Sequence, residues 1–304
     1  MPSLGLRRAH AMAYLSRTAR ETGMSTTQAT AIGFSAVALW ALLAVLTVAT
    51  TPVPPLLLNA LCFGIGGLVG LVWLAATGEI GALRRVPIHV YAFGTIGLFG
   101  YHLLYFMALR LAPPAEASLI AYLWPLLIVV FSGLLPGEGL RRGHVIGACL
   151  AFGGAALLVA RGAEGAGAGA GHLLALIAAM TWAGYSLGSR LLGAQPTGAV
   201  AVYCLGTCAL SIGAHLIWET PAWPATGTGW LAILALGLGP VGLAFFTWDI
   251  GVKRGNIQLL GTLSYAAPLF STLVLVATGT VSASLALGLA TLLITGGAAL
   301  AARA

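Results

Sequence analysis

The sequence predicts an all-α, polytopic integral membrane protein. Three observations carry that reading. Of 304 residues, 59% are hydrophobic and only 7% charged, against roughly 25% charged in soluble domains. The apolar residues fall in runs long enough to cross ~30 Å of hydrocarbon at 1.5 Å per residue. Those runs are continuous and do not alternate every second residue, which favours helices over a barrel.

Ten stretches qualify as spans: 31–50, 56–77, 88–109, 114–135, 143–160, 171–191, 197–217, 229–250, 256–277 and 283–302. The connections hold the helix breakers Pro52, Pro54, Pro55, Pro113, Pro114, Pro196, Pro221 and Pro224. Residues 1–30 carry Arg7, Arg8, Arg17 and Arg20 without an apolar core of signal-peptide length, so they read as a cytoplasmic tail. Met24 is a second candidate start.

Lys and Arg set the orientation. With the N-terminus inside, Arg7, Arg8, Arg17, Arg20, Arg84, Arg85, Arg141, Arg142, Arg190, Lys253, Arg254 and Arg303 face the cytoplasm, leaving only Arg110 and Arg161 outside. This asymmetry predicts both termini cytoplasmic, in a bacterial-type inner membrane. The net charge of +7 contains no dense basic block, so nucleic acid is not an expected partner. The four cysteines, Cys62, Cys149, Cys204 and Cys208, all lie in apolar runs. They read as small packing residues, with no metal or cofactor expected.

The chain repeats itself. A shift of 143 places Arg110 on Lys253, Tyr122 on Tyr265 and Pro125 on Pro268; a shift of 142 places Trp40-Ala41 on Trp182-Ala183. The units are residues 31–161 and 172–304, joined by a Gly/Ala-rich linker at 162–171. Each unit has five spans, an odd number, so the second enters the bilayer from the opposite side. Inverted repeats of this kind predict a secondary transporter with a midplane site between the halves.

Several residues in these repeats resemble the drug/metabolite transporter superfamily, in its ten-helix branch with two EamA-type units. They are the two Trp-Ala pairs, the Ala-rich, proline-bearing fourth and ninth spans, Leu135-Pro-Gly-Glu138, Gly147 and Gly153-Gly154. The second unit departs at Ala277-Thr-Gly-Thr280, where a glutamate is expected. The resemblance implies alternating access and small metabolites as cargo. Its aromatic decoration is most similar to aromatic amino-acid exporters.

Polar and aromatic residues deep in the spans are the candidate substrate contacts: Trp40, Tyr101, His102, Tyr105, Ser118, Tyr122, Trp124, Trp182, Tyr185, Ser186, Ser264 and Tyr265. Pro125 and Pro268 are candidate hinges, since proline removes a mid-helix hydrogen bond and frees a carbonyl one turn earlier. Trp73, Trp218, Trp223 and Trp230 sit near span ends and fit interfacial belts. Glu116 and Arg110 are close enough in sequence to pair, and Asp249 lies one turn from Lys253. The first span has no acidic residue, so a lipophilic cation is not the expected cargo. A neutral, aromatic-walled cavity suits an uncharged or zwitterionic solute with a planar group, such as an aromatic or other neutral amino acid. A membrane-embedded enzyme would need clustered acid/base groups, and the seven acidic residues are scattered. Another metabolite or drug as cargo stays open. One chain supplies both halves, so a monomer is expected.

Overall fold

The computed structural model describes residues 24–132, 142–162, 168–192, 195–255, 263–264 and 266–303. They form a bundle of apolar helices with no strand among the described residues. The helices are α1 (Thr26–Trp40), α2 (Leu43–Ala49), α3 (Pro55–Thr77), α4 (Ile88–Leu111), α5 (Pro114–Ala121), α6 (Trp124–Ser132) and α7 (Arg142–Gly162). They continue as α8 (Ala168–Leu191), α9 (Ala199–Trp218), α10 (Gly227–Leu238), α11 (Ala244–Arg254), α12 (Ala266–Ala277) and α13 (Leu285–Ala302). Among the described residues, five helical stretches are long and apolar enough to cross a membrane: Thr26–Ala49, Pro55–Thr77, Ile88–Leu111, Ala199–Trp218 and Gly227–Gly251.

Local chemistry accounts for the boundaries. α1 begins at Thr26, inside the stretch expected to be tail, because Ser25 and Gln28 form a reciprocal capping box there. Pro55 and Pro114 occupy first-turn positions of α3 and α5, where a missing N–H costs nothing. α3 stops at Gly78, whose φ of 71° is a left-handed conformation that glycine adopts without strain. α7 runs to Gly162 and α8 resumes at Ala168, and residues 163–167 between them lie outside the described residues. Residues 1–23 and the loop carrying Glu138 and Arg141 lie outside the described residues.

The most extensive contacts join α7 to α13, α3 to α9, α4 to α8 and α1 to α11. Small residues make the closest of these possible. A Cβ on Gly70 of α3 would lie 2.7 Å from the Ala201 Cβ of α9, and one on Gly297 of α13 would lie 2.5 Å from the Gly147 carbonyl of α7. Gly188 of α8 likewise faces the Phe93 ring of α4, whereas Gly184 faces open space. Trp73, Trp218, Trp223 and Trp230 are exposed, as interfacial residues should be, and Trp223 stacks on Trp230.

Three helices lose their regularity at one level of the bundle. The first stretch turns at Ala41–Leu42 between α1 and α2, and the fourth turns at Tyr122–Leu123 between α5 and α6. The eighth winds into a π-turn at Gly239–Leu243, between α10 and α11. Such interruptions are frequent at functional sites. Pro125 is therefore not inside an unbroken helix. It sits in the first turn of α6, just beyond the break.

Candidate functional site

The three interruptions surround a buried cavity. Its lining is Trp40, Leu43, Tyr101, His102, Tyr105, Ala121, Tyr122, Trp124, Trp182 and Phe245. Each side chain has a positional reason. Tyr101 and Tyr105 are one turn apart on α4, so both rings face the same way, stacked at 5.9 Å with 4° between planes. Trp40 closes α1 immediately before its break, and Trp182 projects from α8. The α5–α6 turn presents Tyr122 and Trp124 together.

Indoles form the centre. Trp40 lies 6.0 Å from Trp182, 6.5 Å from Trp124 and 5.1 Å from Trp248; Trp124 lies 6.3 Å from Trp182. Most of these pairs are edge-to-face, the arrangement favoured by the ring quadrupole. Phe245 completes the wall, 6.0 Å from Trp40 and 5.5 Å from His102.

Four side-chain polar atoms of the wall are already engaged. The Trp40 indole donates to the Pro240 carbonyl at 3.1 Å, in the π-turn. Tyr122 donates to the Trp40 carbonyl at 2.8 Å, at the α1 break. Tyr105 donates to Ser118, whose hydroxyl is also 3.3 Å from that of Ser271. His102 Nδ1 sits 3.0 Å from the Leu98 carbonyl. A carbonyl only accepts, so Nδ1 carries the proton and a neutral ring leaves Nε2 bare. Trp182 Nε1 has no hydrogen-bond partner. The cavity measures about 20 Å³ as space for the centre of a water molecule. That is room for one water and not for an aromatic solute.

Seven of the twelve sequence candidates line this cavity. Ser118 stands behind Tyr105 and supports it. Tyr185 touches Trp182 at 5.2 Å but stacks on Phe93, over Gly97. Ser186 of α8 and Ser264 before α12 are not among the lining residues. Tyr265 lies outside the described residues. Leu43, Ala121 and Phe245 were not anticipated. The repeat contains the missing signal for Phe245: the shift of 143 that sets Arg110 on Lys253 also sets His102 on Phe245 and Tyr105 on Trp248.

A second polar group lies at the end of the bundle that carries Arg110. Glu116 pairs with His172 of α8 at 2.9 Å, not with Arg110. The Arg110 guanidinium instead bonds Thr50, Thr51 and the Val53 carbonyl, tying α4 to the turn before α3. Glu219 accepts from the backbone N–H groups of Leu56 and Leu57 at 2.9 and 3.1 Å and pairs with His215 at 2.9 Å. It thereby caps α3, where orphan donors and the helix dipole favour a carboxylate. At the other end, Asp249 accepts from Thr197. No cluster of three metal-ligating side chains occurs among the described residues.

The chain is similar to proteins of one transporter family. It is 52% identical over 282 residues, 91% of this chain and 98% of the other, to the aromatic amino acid exporter YddG of Ancylobacter novellus. It is 24% identical to the Salmonella typhimurium exporter of the same name, covering 82% and 87% of the two chains. The uncharacterized transporter YyaM of Bacillus subtilis is also 24% identical, over 72% and 75%. A crystal structure of a protein 52% identical matches with a TM-score of 0.74, covering 92% of this chain and all of the other. The EamA-like transporter family model matches twice, over residues 28–160 and 169–303. The chain is a multi-pass membrane protein of the EamA-like transporter family.

Proposed function

We propose that this protein is a secondary transporter that exports aromatic and other neutral amino acids by alternating access through the indole-walled cavity. The observation that carries the reading is the cavity itself: rings from both repeat units enclose one buried, largely apolar space. Trp40 and Trp182, equivalent under the 142-residue shift, meet at its centre. A planar side chain would stack there, and a few polar atoms would orient the rest. The 52% identity to a protein named as an aromatic amino acid exporter supports the cargo.

The contact pattern supports two equivalent units, and the Lys/Arg asymmetry supports their inversion with cytoplasmic termini. Exchanging the two units turns the α4–α8 contact into the α11–α1 contact, and maps α3–α9 and α7–α13 onto themselves. With α1 packed on α11 and α4 on α8, the pairs can rock about the cavity while the breaks absorb the motion. The closed cavity fits an occluded conformation, opened in turn to each side. Pro125 stands just beyond the α5–α6 break and keeps that segment from becoming regular helix, and Pro268 sits in the first turn of α12.

Counterflow in proteoliposomes tests this. Vesicles loaded with unlabelled tryptophan should accumulate labelled phenylalanine, and excess competitor should suppress it. Trp124→Ala and Tyr101→Ala should cut the rate at least tenfold while the proteins insert normally. Full activity in both would rule out the aromatic cavity as the site.

A further inference from the structure

We infer that the indole N–H of Trp182 is the donor that holds the solute's carboxylate, so that the site selects aromatic acids and amino acids over aromatic amines. The inference rests on the transport reading above. Trp182 is 4% exposed, lines the cavity and is ringed by Trp40, Tyr101, Trp124, Tyr185 and Phe245. An indole N–H can only donate. Buried donors in native proteins are nearly always paired, and one left open points to a partner supplied from elsewhere. Four neighbouring donors are spent inside the wall: Trp40 on Pro240, Tyr122 on the Trp40 carbonyl, Tyr105 on Ser118 and His102 Nδ1 on Leu98. Trp182 Nε1 alone among these donors has no acceptor.

A carboxylate is the strongest acceptor a metabolite offers to a neutral N–H. Two features of the wall fit a zwitterion with this orientation. His102 Nε2 makes no hydrogen bond, and the Ala121 carbonyl cannot receive one from Pro125, which lacks an N–H. Both His102 and Ala121 line the cavity, and both atoms accept, as an ammonium group requires. The same ring therefore stacks on the cargo's aromatic face and marks its acidic end.

The full chain in proteoliposomes reads this through competition of labelled tryptophan counterflow by two probes of similar shape, phenylalanine and phenethylamine, which lacks the carboxylate. In Trp182→Phe, the concentration of phenylalanine needed for half-inhibition should rise about tenfold, the scale of a lost charge-assisted hydrogen bond. That for phenethylamine should stay within twofold. Introducing 3-benzothienylalanine at position 182 keeps the bicyclic shape and removes only the N–H, so it gives the same split where the smaller Phe ring disturbs packing. The same replacement at position 40 is the control. Its N–H serves Pro240, so both probes should weaken together. Equal loss for both probes at position 182, or no loss for either, overturns the inference. No counterflow of any aromatic amino acid by the unaltered protein would instead overturn the transport reading on which it stands.

Discussion

α4 and the α10–α11 stretch are related by the 143-residue shift, and both wall the cavity, yet they do so by different means. α4 is an unbroken helix whose Tyr101, His102 and Tyr105 supply side-chain polar atoms to the wall. Across from it, α11 presents Phe245 and, next to Trp40, Trp248, while its polar contribution comes from backbone, the Pro240 carbonyl of the π-turn. The same small residues serve opposite ends. Gly97 and Gly100 on α4 correspond to Gly239 and Gly242 under the shift of 142. Gly97 makes room for the Tyr185 ring, whereas Gly242 lets two backbones and a π-turn pack at contact distance. One wall thus reads polar groups from a rigid helix. The other offers apolar surface on a backbone already distorted, the element expected to give way during opening.

The largest effect should come from Gly242. A Cβ there would stand 2.2 Å from the Gly237 carbonyl and 3.2 Å from the Gly66 Cα, and backbone on both sides cannot rotate away. Gly242→Ala should destabilise by about 3 kcal/mol or straighten the π-turn, with loss of counterflow and a lowered thermal midpoint in detergent. Gly100→Ala is its counterpart, with the nearest atom 3.7 Å away, and should change stability by less than about 0.5 kcal/mol. Equal damage at both positions would remove the contrast between a rigid and a distorted wall.

How much of this was readable beforehand follows from what the bilayer constrains. Hydrocarbon acts on each helix separately, so length, apolarity and flanking charge marked the helical stretches one by one. Helix pairing left no such trace. These helices are apolar all round, so no stripe says which neighbour a face meets, and the α1–α11 and α4–α8 pairs emerge only in three dimensions. The cavity lining was legible where a residue was costly at that depth: Trp40, Tyr101, His102, Tyr105, Tyr122, Trp124 and Trp182. Phe245 escaped because a phenylalanine is ordinary anywhere in lipid. Depth alone, which selected Ser186 and Ser264, does not say which residues meet at the cavity. Glu116 was matched to Arg110 on sequence proximity, but its partner His172 is 56 residues away. The break at Ala41–Leu42 has neither Gly nor Pro to announce it.

A sharper test makes the two walls alike. His102 aligns with Phe245 under the repeat and already packs edge-on against Phe63, Phe106 and Phe245. His102→Phe therefore fits its aromatic surroundings and removes both ring nitrogens. The protein should fold, with its thermal midpoint little changed. The counterflow KM for phenylalanine should rise about tenfold, the worth of one hydrogen bond to a charged group. An unchanged KM would mean that α4 does not read polar groups through His102, and that the walls differ in shape alone.

The smallest expected effect isolates the support beneath α4. The Tyr105 hydroxyl donates to Ser118, and Ser118 is 3.3 Å from Ser271 of α12. This chain ties the polar wall to α5 and to the second repeat unit without facing the cargo. Tyr105→Phe removes the donor and keeps the ring stacked on Tyr101. At 3.3 Å the bond is long, and Ser118 keeps Ser271 as a partner, so about 1 kcal/mol of stability is at stake. KM should stay within twofold, because the lost atom holds the wall in place and does not touch the solute. A KM increase as large as that of His102→Phe would show Tyr105 turning its hydroxyl to the cargo. The polar reading would then extend one turn along α4, and the contrast with α11 would be stronger than this structure displays.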